Sequence, residues 1–377
     1  MLNDILFLII GVAVYFILIY PISRKKILFE ILIVKLFAVL IVLRYFSDKV
    51  AIKEVGKIAE GGLSNFTVYY WLGKPLNIMG LDYRYCFALI STYAVLLLSV
   101  YLMKMLREEF KIMLIVLNFY PDIIYFSGFT LRDVGIGVLS AGIIIELFFQ
   151  RRMLIVGVLA FLLILLRPEL FLWLMLCLWF YSFRYIRKAY RPFYFILGVV
   201  AFIASLRILI YTAILYIGWD PEVAKQPEEL LRYFMDQRYE RQFGDSDGSG
   251  GTSPVLSSNY YYDSSLITVI LLQSLSLIYL SSEPANALIA IAAMTALPLL
   301  YYMKKLYKLC KTHKILRVYI PTLSTFLMYA PFLVNGGNAF RLRIVLIIVT
   351  ITVYSYIRFG GLQNNSNKEQ SQKLKHG

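Results

Sequence analysis

Long apolar runs broken by short basic clusters set the pattern of this chain. The runs are Leu2–Tyr20, Ile27–Leu43, Phe87–Met103, Val134–Phe149, Leu154–Leu166, Phe193–Ile217, Ala285–Leu300 and Ile344–Tyr356. A bilayer crossing needs roughly 20 mostly apolar residues. Runs of that size, repeated this often, cannot all be the core of one water-soluble domain. The expected fold class is all-α, a polytopic transmembrane helical bundle.

The pattern predicts helices over 2–21, 27–46, 83–103, 111–127, 131–149, 153–167, 169–183, 193–217, 284–303, 317–334 and 341–357, about eleven crossings. Ser264–Leu280 is apolar enough to span, but a full crossing there reverses the side of the next basic cluster. It is read as re-entrant or interfacial, packed against protein. The single polytopic domain covers 1–359. Residues 360–377 form a basic tail that reads as cytoplasmic and disordered. The N-terminal run is followed by Pro21 and Arg24-Lys25-Lys26, not by a small-residue cleavage site, and reads as a retained first helix.

Charge orients the bundle. Basic clusters lie at Arg24–Lys26, Lys104–Lys111, Arg151-Arg152, Arg184–Arg191, Lys304–Arg317 and in the tail after Arg358. Placing all of them in the cytoplasm puts the N-terminus outside and the C-terminus inside. The external side then holds the loops at about 47–81 and 218–263, with shorter turns at Ser127–Asp133, Arg167–Glu169 and Asn335–Arg343. Repeats are not evident, which disfavours a symmetric transporter.

Composition agrees with the pattern. Hydrophobic residues make up 60% of the 377 and charged residues 16%, against about a quarter charged in soluble domains. The net charge of +15 is read as basic loops held in the cytoplasm, not as a nucleic-acid surface. Cys86, Cys177 and Cys310 have no metal-ligand spacing, and His313 and His376 lie in basic segments. No metal and no cofactor is expected.

Ionisable residues at helix ends in an apolar protein are costly, so they are usually paired or functional. Pro121 should kink or interrupt a helix. Ser127 and Gly128 allow a tight turn, and Arg132 and Asp133 open the next helix. An acid there favours the helix dipole, whereas a cation does not. Arg167 stands among apolar residues, while Pro168 and Glu169 suit the first turn of the helix that follows. The segment Gly244–Ser253, with Gly250 and Gly251, is either a flexible loop or a backbone cradle for phosphate. Gly336 and Gly337 make a turn before Arg341 and Arg343, of which Arg341 is assigned to the interior and Arg343 to the headgroups. Tyr69, Tyr70, Trp71, Trp219 and Tyr260–Tyr262 lie at the external boundary, as interfacial anchors or as platforms for sugar rings.

Pro121, Ser127, Gly128, Arg132 and Asp133 carry a pattern that resembles the P-x-x-x-x-x-S-G-x-x-x-R-D segment of bacterial polysaccharide-assembly proteins. The Arg167-Pro168-Glu169 junction, the glycine/serine-rich loop and the late Gly-Asn-x-x-Arg resemble them too. These are the Wzy-like oligosaccharide repeat-unit polymerases and related GT-C-like membrane glycosyltransferases. The resemblance implies a multi-pass enzyme of the bacterial cytoplasmic membrane. Its substrate would be an oligosaccharide on a polyprenyl (undecaprenyl) diphosphate, joined into O-antigen, capsule or exopolysaccharide. Arg132, Arg167 and Arg341 would hold the diphosphate, with Ser127, Gly250 and Gly251 nearby. The base is sought among Asp48, Asp133 and Glu169. Asp48, at the end of the second helix, is preferred to Glu54 and Glu60 in the first external loop, which lacks the adjacent acid pair of GT-C enzymes. The lipid bilayer is the environment, and a chain-length regulator or flippase is a partner of the kind the resemblance allows.

Two other functions fit the same residues. A GT-C-like transferase would take one sugar from a polyprenyl monophosphate. A transporter of lipid-linked oligosaccharide would carry charges through the membrane centre.

Overall fold

The structure, a computed structural model, describes residues 2–46, 55–56, 58–59, 67–106, 111–128, 132–167, 170–200, 287–327 and 336–359. All regular elements among them are helical. They are α1 (Leu2–Val14), α2 (Lys26–Phe46), α3 (Thr67–Ile78), α4 (Tyr83–Met105), α5 (Lys111–Phe119), α6 (Pro121–Gly128), α7 (Asp133–Ile145), α8 (Met153–Leu166), α9 (Phe171–Ser182), α10 (Arg191–Val200), α11 (Ala287–Thr312), α12 (Leu316–Leu327) and α13 (Gly336–Arg358). Wide π-turns extend α1 through Tyr15–Ile19 and α7 through Glu146–Gln150.

Three of these segments are long and apolar enough to cross a membrane: Leu2–Ile19, Tyr83–Met105 and Asp133–Gln150. α2 has the length, but it carries Lys26, Glu30, Lys35 and Arg44. α8, α9 and α10 are apolar and shorter. Side-chain exposure supports a lipid environment. Leu154, Val158, Phe161 and Leu165 form an outward stripe on α8, led by Leu154 at 85% exposure, and Val34, Phe37 and Ile41 form another on α2. Exposed apolar stripes of this kind mark a face that meets lipid or another apolar surface, and they are ordinary in a bilayer.

The chain divides into two compact units. The first comprises Met1–Pro168, Leu299–Leu316 and Ile344–Gly377. In it α2 packs on α6, α4 on α3 and α7, and α7 on α8. Glycines permit the closest approaches. A Cβ on Gly128 would lie 2.5 Å from Cβ of Val42, and one on Gly137 would lie 2.8 Å from Cδ1 of Ile348. Small residues of this kind let membrane helices pack backbone to backbone. The second unit comprises Glu169–Pro298 and Arg317–Arg343. There the Trp173 indole donates to the Pro321 carbonyl across 2.9 Å. Arg343 donates to the Thr295 hydroxyl across 2.6 Å.

Several expected boundaries move. The helix expected over 111–127 is divided at Tyr120, and Pro121 opens α6, where its missing N–H breaks no intrahelical bond. α11 continues to Thr312, well past 303. The turn expected at Gly336 and Gly337 is instead the first turn of α13. First-turn amides have no intrahelical partner in any case, so glycine is tolerated there. The expected loop over 47–81 contains α3, which has Pro75 inside it.

Candidate functional site

The junction between α6 and α7 gathers charge in the interior of the first unit. α6 ends in Ser127 and Gly128, and the Ser127 side chain is fully buried. Arg132 directly precedes α7 with helical backbone and makes no side-chain cap. Asp133 is the first residue of α7, where its charge favours the helix dipole. Arg132 is 5% exposed and Asp133 fully buried.

Arg167 reaches this junction from the far end of the next helix. Its amide closes the last turn of α8 on the Leu163 carbonyl at 2.8 Å. Its backbone then turns extended, at φ −152° and ψ 91°, as the residue before a proline must. From there its Nη2 stands 3.6 Å from Oδ1 of Asp133, with the Arg167 side chain 16% exposed. The pair joins the start of α7 to the end of α8. After the π-turn, a left-handed Arg151 and then Arg152 form the short link between α7 and α8.

Tyr69 of α3 closes one side. It is 2% exposed, its hydroxyl is 3.3 Å from that of Ser91, and a Cβ on Gly135 would meet it at 2.5 Å. Burial pushes the phenol up to about 12; Asp133 adds to the rise, while Ser91, Gly135 and Arg132 oppose it. Tyr69 is therefore neither an interfacial anchor nor a free face for a sugar ring. Asp122, in the first turn of α6, is also fully buried.

α7 with its π-turn covers 18 residues, about 27 Å, close to the roughly 30 Å of a hydrocarbon core. Its far end holds a second polar cluster. Glu146 is 2% exposed, accepts from the Tyr101 hydroxyl, and lies 3.8 Å from Arg152. Gln150 donates to the Tyr356 hydroxyl beside it. Elsewhere in the first unit, Lys35 is fully buried in α2 and donates to the Asn118 side-chain oxygen, 3.4 Å away. Asn118 in turn donates to Ser99.

Of the residues singled out from the sequence, Arg132, Asp133, Arg167 and Ser127 fall in the first unit, and the structure joins Asp133 to Arg167. Asp48, Glu169, Gly250 and Gly251 lie outside the described residues, as do Glu54, Glu60, Pro168, Ser264–Leu280 and the tail. Arg341 belongs to α13, with its side chain outside the described set. Arg343, assigned to the headgroups, is instead buried, at 3% exposure, on Thr295. Sequence reasoning passed over Lys35 and Glu146. Both are charges inside otherwise apolar runs, which is the signal that marks a functional or paired group in a membrane helix. Among the described residues no three His, Cys, Asp or Glu side chains gather as metal ligands.

Helical architecture and lipid-facing stripes together define the class, a helical membrane protein. No protein-family model matches the chain, and no curated protein or solved structure matches it significantly.

Proposed function

We propose that this protein is a membrane glycosyltransferase of the polysaccharide-polymerase type. In this reading it crosses the bacterial cytoplasmic membrane about eleven times, with its N-terminus outside. It joins oligosaccharide repeat units carried on polyprenyl diphosphate. The observation that supports the reading is the Asp133–Arg167 pair with Arg132 beside it in sequence. Two guanidinium groups and a carboxylate stand at helix ends, where α7 begins and α8 stops. Guanidinium forks match phosphate oxygens bidentately. A desolvated carboxylate can take a proton from an acceptor hydroxyl. Together they provide a leaving-group clamp and a base.

Deletion of the gene followed by gel analysis of surface glycan tests the activity. Single-unit glycan without a ladder is expected. Loss of all glycan points to a single-sugar transferase or a transporter instead. Reporter fusions in Arg184–Arg191 and in Gly244–Ser253 test the orientation, and the two should report opposite sides of the membrane.

A further inference from the structure

We propose that Tyr69 is a positioning residue: its hydroxyl, reaching from α3, caps the head of α7 and sets where Arg132 and Asp133 stand for the transfer. The role rests on the polymerase reading above, because it concerns the alignment of that same site.

The geometry carries it. The first amides of any helix have no intrahelical acceptor. In α7 the Arg132 side chain makes no cap, and the intrahelical ladder opens with the Ile136 amide on the Arg132 carbonyl at 3.1 Å. The Gly135 amide precedes that bond, so its acceptor must come from outside the ladder. Tyr69 brings one to it. A Cβ on Gly135 would lie 2.5 Å from the phenol oxygen, so the oxygen sits where only glycine leaves the backbone open to it. The Gly135 amide is also among the groups that oppose the rise in the phenol's pKa, the effect of an N–H directed at its oxygen. Donation of its own proton to Ser91, 3.3 Å away, leaves the phenol's lone pairs for α7.

The hydroxyl is a fixed point. The Tyr69 ring packs edge-on against Phe87 of α4, with centroids 5.6 Å apart. One turn further along α3, Gly73 lets the two helices meet closely, since a Cβ there would lie 3.1 Å from that of Cys86. An oxygen held this way on the Gly135 amide holds the first turn of α7, and Arg132 and Asp133 open that turn. Loss of the oxygen keeps the apolar packing and releases the turn. A small shift of groups that clamp and activate a substrate lowers the rate steeply.

The test is Tyr69→Phe, alone and combined with Gly135→Ala. In the purified full-length chain in detergent, Tyr69→Phe should speed hydrogen exchange in peptides covering Asp133–Gly137. In a deletion strain it should slow growth of the glycan ladder between about tenfold and a hundredfold, at normal protein level. The double variant puts a methyl where the hydroxyl stood, and the nearest ring carbons, at 3.4 Å, accept it. It should regain packing and thermal stability while the ladder stays short, which a merely structural role would not produce. It also decides the matter if Tyr69→Phe alone fails to accumulate. A ladder of wild-type length from either variant at normal abundance overturns the positioning role and leaves the polymerase reading standing. Unchanged exchange at the head of α7 overturns it as well. A deletion strain that keeps its ladder removes the reading and the role together.

Discussion

The Tyr101 hydroxyl donates to the Glu146 carboxylate across 2.6 Å and so ties the last turn of α4 to the π-turn that ends α7. The carboxylate is almost fully buried, and Arg152 lies farther off at 3.8 Å, with its own side chain half exposed. The phenol is therefore the near donor to a desolvated charge. Tyr101→Phe should destabilise the protein by about 1–3 kcal/mol, the cost of leaving such a group under-satisfied. Glu146→Gln should cost less, since it removes the charge and keeps an acceptor for Tyr101. Thermal unfolding in detergent ranks the two variants, and the reverse order would show that the charge itself holds the cluster.

Gly137 concerns packing alone. Its hydrogen faces Cδ1 of Ile348 and, slightly farther away, Cα of Val345. Gly137→Ala should cost about 1–3 kcal/mol through overpacking. Ile348→Ala in the same chain should return part of that loss, giving a coupling of about 0.5–3 kcal/mol. Strict additivity in the double-mutant cycle would place the strain elsewhere.

Arg167 is the residue on which the proposed chemistry turns. Charge grows on the leaving diphosphate as the glycosidic bond breaks, so a fixed cation stabilises the transition state more than the bound substrate. Losing it should raise the barrier by roughly 2–4 kcal/mol, about a hundredfold or more in rate. Arg167→Lys keeps the charge but loses the fork, and should also shorten the glycan. Glycan length and protein level are scored together in a deletion strain. A full-length ladder from Arg167→Ala at normal abundance would make the residue structural.

Cys310 offers a chemical check on the course of α11. It lies beyond the crossing expected over 284–303, in a basic stretch, yet it is fully buried. Burial pushes its thiol up to about 12, so almost none is thiolate at neutral pH, and the thiolate is the reactive form. Maleimide at pH 7.5 should label it slowly in native membranes and readily in SDS. Rapid native labelling would contradict the packing of this segment.

Hydropathy made much of the helical content legible. The expected 83–103 and the observed Tyr83–Met105 nearly coincide, because that run has few charges and sharp polar ends. The break near Pro121 was legible for a local reason, the ring's missing N–H. Legibility ends where a partner decides. Nothing near Tyr69 in sequence says that a glycine two residues past Asp133 will receive its hydroxyl. Arg341 and Arg343 present the same residue type two positions apart, and burial of Arg343 depends on Thr295 of a distant segment. Lys35 was legible and overlooked: one ammonium inside Ile27–Leu43 did not alter the average of the run, although it alters its chemistry.

The hairpin of α7 and α8 bears on how the site comes into being. Asp133 and Arg167 are thirty-four residues apart in the chain, and the link between their helices is a left-handed Arg151 followed by Arg152. Bringing them together closes a short loop, with an entropic cost set by that hairpin and not by the whole chain. Both charges are also synthesised before any residue of α9 to α13. During biogenesis the pair can neutralise itself as two neighbouring helices leave the ribosome, so neither charge has to meet lipid while waiting for later segments.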